Sequence, residues 1–277
     1  MKNQTNLKFS VLMSVYAKDK PEWIKEALDS LINQTVSPSE IIIVVDGPVP
    51  DEISNLLKEY TLKTIMIENI FLPVNQGRGE ALKQTLPMSR NELVALADAD
   101  DINLSDRFEK LIECFNEDAN LSIVGGQIEE VDEYSLKPIS KRLVPLSDKD
   151  IKKYLKNRSP FNQMTVMFKK NDVIKAGGYQ PMHLMEDYYL WVRMAREGLK
   201  MRNLSSVLVN ARVGTQMYAR RGGWKYFKSN KAVQDELLKF KIISVPRYLF
   251  NIAARFTAQV LMPNGLRAKL YASLLRK

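Results

Sequence analysis

An α/β fold with a mostly parallel central sheet flanked by helices is the fold class this sequence predicts, on three observations. Strand-like apolar runs alternate with helix-like amphipathic runs through the first hundred residues. One strand run, 41–45 (IIIVV), is almost purely β-branched. Aspartates gather where two of the strand runs end. Alternation of this kind builds β-α units with a parallel sheet. A continuous β-branched run suits a strand covered on both faces. In a doubly wound sheet, ligands bind outside the carboxyl ends of the strands, which is where these aspartates fall.

Taken in order, residues 9–16 read as the first strand. Residues 21–34 read as a helix, opened by Pro21 and carrying Ile24, Leu28, Leu31 and Ile32 on one face. Residues 41–45 are the second strand and 51–60 a helix. A short strand is expected at 64–67, a helix at 78–88, a strand at 92–97 and a helix at 104–116. The second half is less regular. Strands are expected at 123–130 and 165–169, a turn at Gly177-Gly178, and a helix at 186–197. Beyond Gly223 the pattern is helical and basic, with breaks at Pro246 and at 263–265. The expected division is a catalytic domain over 1–225 and a basic amphipathic helical extension over 226–277.

Composition removes several function classes. Apolar residues make up 45% and charged residues 26%, as in a folded globular chain. With one cysteine, Cys114, there is neither an internal disulfide nor a cysteine-rich metal site. With one histidine, His183, multi-histidine zinc chemistry is excluded. Any metal must be held by carboxylates, and hard oxygen ligands favour Mg²⁺ or Mn²⁺. No stretch of about 18 residues lacks charges, so no transmembrane helix is expected. The apolar run at 9–17 is short and meets Lys18, Asp19 and Lys20 at once, so it reads as a buried strand rather than a signal peptide. A cytoplasmic location is expected. The net charge of +9 is uneven: residues 239–277 hold eight basic residues and no acidic one. Such a tail suits a polyanionic surface such as phospholipid headgroups, although any single Lys or Arg reads as a solvated helix face. No nucleic-acid recognition motif accompanies it.

The sharpest chemical feature is the run 93–101 (LVALADADD), a strand ending in Asp98, Asp100 and Asp101. Carboxylates so close repel unless a cation compensates them. A divalent ion chelated by a diphosphate does so by bridging phosphate and carboxylate oxygens. The plainer reading is a polar turn with Asp101 or Asn103 capping the next helix. It accounts for one aspartate and leaves Asp98 and Asp100 together unexplained.

With these residues in view, the chain resembles the family-2 inverting glycosyltransferases of the GT-A fold, the nucleotide-diphospho-sugar transferase fold. Residues 10–16 (SVLMSVY) look like the family's opening strand, and 41–47 (IIIVVDG) like its second strand and base-reading aspartate. Residues 75–82 (NQGRGEAL) resemble its Asn-x-Gly…Ala segment. Residues 98–101 (DADD) match its Asp-x-Asp signature, and 185–191 (MEDYYLW) its Glu-Asp signature before a helix. Each piece alone is weak, and five in order over residues 8–225 are strong. Within the family the chain looks closest to bacterial enzymes of O-antigen and exopolysaccharide synthesis, through 160–168 (PFNQMTVMF) and 220–223 (RRGG).

The resemblance implies roles. Asp46 would contact uracil or ribose, with Ser14, Tyr16, Asn75, Gly77 and Ala99 in the nucleotide-sugar site. Asp98 would bond the ribose or assist the metal, and Asp100 would be the principal ligand of Mn²⁺ or Mg²⁺. Asp187 would be the general base, with Glu186 orienting it or the acceptor. A sugar hydroxyl is a poor nucleophile until a carboxylate takes its proton, so the chemistry agrees. The family implies a single displacement with inversion, a UDP-sugar donor and a lipid-diphosphate-linked saccharide acceptor at the inner face of the cytoplasmic membrane. Arg78 reads equally as a phosphate contact at a helix start and as a surface residue. Arg220 and Arg221, beside two glycines, suit a diphosphate, since guanidinium binds phosphate in a bidentate way; a basic loop is the other reading. Asn162 and Thr165 are acceptor-site candidates or satisfy a buried strand end. Tyr188, Tyr189 and Trp191 are candidates for stacking on sugar rings, with core packing favoured for Trp191. Cys114 reads as core. The opening strand lacks the family's frequent Pro and Asn, and Asp46 stands alone where many members have two aspartates.

Two other classes compete. A nucleotidyltransferase would carry a glycine-rich phosphate loop after the first strand, where 15–19 (VYAKD) has no glycine. A non-catalytic nucleotide-sugar-binding or membrane-scaffolding protein of the same fold would have no need of the intact Asp98/Asp100 and Glu186/Asp187 sets. In the C-terminal forty residues, apolar positions recur every three or four residues between basic ones. They fit helices lying on a membrane surface or packing on the catalytic domain.

Overall fold

The computed structural model describes residues 7–64, 66–214 and 222–263. Its centre is a nine-stranded sheet. Three parallel pairings form the first half: β1 (Phe9–Val15) lies between β2 (Glu40–Val45) and β4 (Leu93–Asp98), and β3 (Ile67–Phe71) pairs with β2. The second half is mixed. The short β8 (Met167–Lys169) runs antiparallel to β4 and to β6 (Leu121–Asp132). Along its other edge, β6 lies parallel to β9 (Lys200–Val213), the longest strand described. β9 pairs antiparallel with the two-residue β5 (Ile102–Asn103), and β7 (Pro138–Arg142) pairs antiparallel with β6.

Period-two alternation along the strands divides the core into two layers. Phe9, Val11, Met13 and Val15 of β1 enter one layer, with Ile41, Ile43 and Val45 of β2. Helices α1 (Pro21–Ile32), α2 (Asp51–Lys63) and α4 (Arg107–Glu117) cover that face through Ile24, Leu28, Leu57, Phe108 and Leu111. Leu12, Ile42, Val94 and Leu96 enter the other layer. There α3 (Arg78–Thr85), α5 (Asp148–Leu155), α6 (Lys170–Lys175) and α7 (Glu186–Arg196) contribute Leu82, Leu155, Val173 and Trp191. Trp191 is wholly buried against Phe161, ring centroids 5.4 Å apart, and truncation to Ala would cost about 3–5 kcal/mol. Cys114 is buried, as expected of a core position.

β1, α1, β2 and β4 match the sequence expectations within two residues, α2 runs three residues past the expected 51–60, and α4 starts three residues after the expected 104. β3 starts where the expected strand at 64–67 ends, because this edge strand buries only Ile67 and carries no clear apolar period. The expected helix at 78–88 finishes as a 3₁₀ turn, Leu86–Met88, around Pro87. Neither Asp101 nor Asn103 caps α4: its N-cap is Asp106, without a side-chain bond. β5, β7, α5, α6 and β9 have no counterpart in the sequence reading. At the far end, α8 (Gly223–Lys239), which opens the expected extension, places Val233 and Leu237 in the second core layer. α9 (Val245–Phe256) begins with Pro246 in its first turn, consistent with the break expected there. No helix among the described residues is long and apolar enough to cross a membrane.

Candidate active site

Three chain segments meet beyond the carboxyl ends of β1, β2 and β4, and local sequence explains each. After β2 the chain turns at Gly47, whose φ of +87° suits glycine; a Cβ there would stand 2.5 Å from the Asn75 backbone nitrogen. That close approach brings the 75–77 loop over Asp46. The buried Asp46 carboxylate accepts the N–H groups of Gln76 (2.8 Å) and Gly77 (2.9 Å), and the Asn75 amide donates to the Asp46 carbonyl (3.0 Å). Gly77, also at φ +87°, then starts α3.

At the end of β4, carboxylate oxygens of Asp98, Asp100 and Asp101 lie within 4.8 Å of one another. Ser14 of β1 is the register partner of Asp98, and Ala99 is buried between the aspartates. Tyr16, 38% exposed, marks the end of β1, and its N–H bonds Asp19 at 2.9 Å. Burial pushes the Asp100 carboxyl above its ordinary value, with the Asp98 charge adding to it. Burial, then Asp100 and Asp98, push Asp101 well up, against the N–H that Arg212 donates to it at 2.9 Å. Asp19 is raised to about 7, by burial first and then, against the Tyr16 N–H, by Asp100 and Asp98. Cations border the cluster. The Arg212 guanidinium donates to the Asp100 carbonyl and pairs with Glu26. The wholly buried Arg107 donates to the Leu96 carbonyl and to Asn103; burial lowers its pKa to about 9 while Asp98 and Asp101 support its charge.

The third segment is the start of α7. Glu186 and Asp187 occupy its first turn, where the helix terminus favours negative charge. Asp187 is raised to about 6, by burial and then Glu186, against the N–H of Tyr188, which bonds it at 2.6 Å, and the charges of Arg78 and Arg142. α7 and α3 touch at this end: a Cβ on Gly79 would come within 3.0 Å of the Glu186 Cβ. Arg78 links the two acidic groups. Its guanidinium pairs with Asp98, and although burial opposes its charge, Asp98 and Glu186 together hold its pKa above the ordinary value. The surface reading of Arg78 is therefore set aside. The buried Tyr179 hydroxyl lies in the same field of Arg78, Asp187 and Glu186, and among the described residues it has no hydrogen-bond partner.

Other sequence candidates lie elsewhere. Asn162 and Thr165 have no exposed surface. Asn162 donates to the Gly126 carbonyl (2.8 Å), and Thr165 donates to the Asn162 carbonyl (2.7 Å) and accepts from Gly126 N–H (3.0 Å). These bonds fit the alternative reading of both residues, that they satisfy a buried strand end. Tyr188 and Trp191 are likewise buried, so neither can stack on a sugar. Tyr189 bonds Glu236 and lies under Arg193. Exposed His183 has its pKa lowered, by desolvation and then by Lys225. Arg220 and Arg221 lie outside the described residues. Sequence reading missed Asp19, Arg107 and Arg212 as parts of this site. The position of Asp19 just past a strand end was the one available signal.

The donor set fits a divalent cation: clustered hard carboxylate oxygens, two of them raised by burial first and then by the neighbouring carboxylates. Asp100 and Asp98 are the residues that would hold it, beside a buried Asp101 already engaged by Arg212.

Comparison with known proteins agrees with this geometry. The family model described as "Glycosyl transferase family 2" matches residues 10–178. The chain is 35% identical, over 98% of its length and 97% of the relative's, to an Escherichia coli protein named UDP-Gal:alpha-D-GlcNAc-diphosphoundecaprenol beta-1,3-galactosyltransferase. It is 39% identical to the amylovoran biosynthesis glycosyltransferase AmsE of Erwinia amylovora, over 80% of this chain and 82% of that one. Among solved structures it shares its fold, at a TM-score of 0.65 and 15% identity, with the mannosyltransferase PcManGT of Pyrobaculum calidifontis in complex with GDP-Man and Mn²⁺. That match covers 98% of this chain and 81% of the other.

Proposed function

The chain belongs to glycosyltransferase family 2 and is an enzyme of that class, and on that premise we propose that it transfers a sugar from a UDP-sugar to a lipid-diphosphate-linked saccharide, inverting the anomeric carbon. One observation supports the proposal: Arg78 pairs with Asp98 and lies in the field of Glu186, while Gly79 beside it abuts Glu186, so the strand-tip aspartates and the helix-start pair are neighbours. A named relative acting on a diphosphoundecaprenol-linked sugar supports the acceptor class. The reaction then belongs at the cytoplasmic face of the membrane, in the assembly of a bacterial surface polysaccharide.

In this reading Asp187 takes the proton of the acceptor hydroxyl, whose oxygen forms the new bond to the anomeric carbon. The bond from that carbon to the diphosphate oxygen breaks with its electron pair, leaving UDP. A carboxylate titrating near 6 is largely ionised at neutral pH and remains basic enough to accept the proton. Glu186 orients Asp187 or the acceptor. Asp100 and Asp98 hold Mn²⁺ or Mg²⁺, which when bound neutralises charge on the leaving diphosphate. Arg78, released from Asp98, is placed to meet a phosphate, and Arg220 and Arg221 supply further guanidinium contacts. Ser14, Tyr16, Asp46, Asn75, Gly77 and Ala99 line the nucleotide side. Asp46 acts chiefly by holding the 75–77 loop, because backbone N–H groups already occupy both of its oxygens.

Calorimetric titration of UDP with and without Mn²⁺, on the wild type and Asp100→Ala, tests the donor site. Metal-dependent binding that disappears in the variant is expected. Metal-independent binding of equal strength in both proteins would remove the assignment of Asp100.

A further inference from the structure

α9 is seated with its polar side inward. Tyr248 donates to Asp235 at 2.7 Å, and the buried Asn251 amide donates to the Lys156 carbonyl (3.0 Å) and to Gln234 (2.8 Å). Arg255 reaches the Asn157 carbonyl, and Gln259, in the π-turn Thr257–Leu261 that prolongs the helix, is also buried. The spacing 248, 251, 255, 259 is one helical stripe. Away from that stripe lie Leu249, Phe250 and Leu261, 61–65% exposed, with Val245, 58% exposed, at the helix start. A helix resting on a water-soluble protein ordinarily turns its apolar stripe to the core and its polar side outward. Here the order is reversed, so this helix matches a medium less polar than water.

The surroundings narrow what that medium is. Trp224, 53% exposed, packs edge-on to Phe256 at 6.1 Å, with Lys228 near its ring. Arg247 is exposed beside Phe250, 5.8 Å from the ring centroid. No acidic residue follows Glu236 in the sequence, and eight basic ones do. Exposed large apolar side chains with Trp at the margin and the basic Arg247 and Lys228 among them are the pattern of a helix lying in an anionic bilayer interface. Lys225, in the first turn of α8, adds to this basic margin, and its charge reaches His183, whose pKa it helps to lower.

We infer that the outward face of α9, with Val245, Leu249, Phe250, Leu261 and the neighbouring Trp224, docks the enzyme on an anionic phospholipid surface. This goes beyond the proposed reaction by naming the surface, and the face itself is observed independently of what the acceptor is.

The test is co-sedimentation of the full chain with phosphatidylcholine vesicles and with vesicles containing phosphatidylglycerol, for the wild type and for the double variant Leu249→Glu/Phe250→Glu. Both side chains point outward, so the fold should survive, and UDP binding in solution reports that it has. Partitioning of the wild type onto the anionic vesicles is expected, falling about tenfold or more in the double variant with UDP binding unchanged. Equal partitioning of both proteins overturns the inference, as it would if residues 264–277 docked instead. Absence of wild-type binding to either vesicle overturns it too. So does a wild-type dimer that the substitutions convert to monomer without any vesicle binding, which would assign the face to a second copy. Loss of UDP binding by the wild type would count against the donor reading and leave the vesicle result standing.

Discussion

The two acidic groups of the site respond to the same stress in different ways. At the tip of β4, Asp98, Asp100 and Asp101 crowd one another, with Asp19 near enough to share the repulsion, and Arg78, Arg107 and Arg212 offset only part of it. At the start of α7, Glu186 and Asp187 are two rather than four, the helix terminus favours them, and Asp187 is raised only to about 6. Burial raises both groups, and the first adds the mutual repulsion of more carboxylates. In the proposed mechanism the first group is the one a cation would complete and the second the one that would take a proton from a substrate, so the division rests on how many like charges each carboxylate faces.

Replacing Asp187 by Asn tests that division most strongly. kcat should fall by about 10²- to 10⁴-fold, the usual contribution of a positioned base, while metal-dependent UDP binding persists. A kcat within a few-fold of wild type would move the base elsewhere. The next effect is a pH profile. With the Asp187 pKa raised to about 6 and its ionised form the active one in the proposed mechanism, the rate should rise about tenfold per unit below that pH and level off above it. A rate that keeps climbing through pH 8 would point to another group. The smallest effect belongs to the strand-tip side. Asp19 titrates near 7 in the folded chain against 3.8 ordinarily, so the fold binds its proton more tightly than the unfolded chain does. Its contribution to stability is complete below the ordinary value and is lost as pH rises through about 7. Thermal melts of Asp19→Asn should therefore gain on wild type as pH rises from below the ordinary value of 3.8 to about 7, and exceed it by a few degrees at pH 8. Identical melts across that range would mean that Asp19 lies outside the charge cluster.

The first half of the fold was legible because buried parallel strands leave continuous apolar runs and their helices keep a clean stripe. β9 escaped notice because its fourteen residues carry polar groups inward. Buried Asn203 bonds the Pro145 and Pro160 carbonyls, and the pairing with β6 shifts register three times. α5 and α6, of eight and six residues, are too short to show a period. Within the site, the clustered aspartates and the Glu-Asp pair showed themselves by residue type and spacing. Arg107 and Arg212 did not, since a lone arginine gains meaning only from what tertiary packing sets beside it. The direction in which α9 faces was equally hidden: its periodicity showed an amphipathic helix, and the hydrogen bonds of Asn251 and Tyr248 decided which side turned inward.

The clamp between Asp46 and the 75–77 loop has a kinetic side. Two backbone N–H bonds and the glycine contact at Gly47 hold this loop through the chain's own contacts. The loop's conformational entropy is given up during folding, so under the proposed donor assignment an arriving nucleotide-sugar would meet a finished wall. Capture there would then be governed by encounter and orientation, with no waiting time for a flap to form.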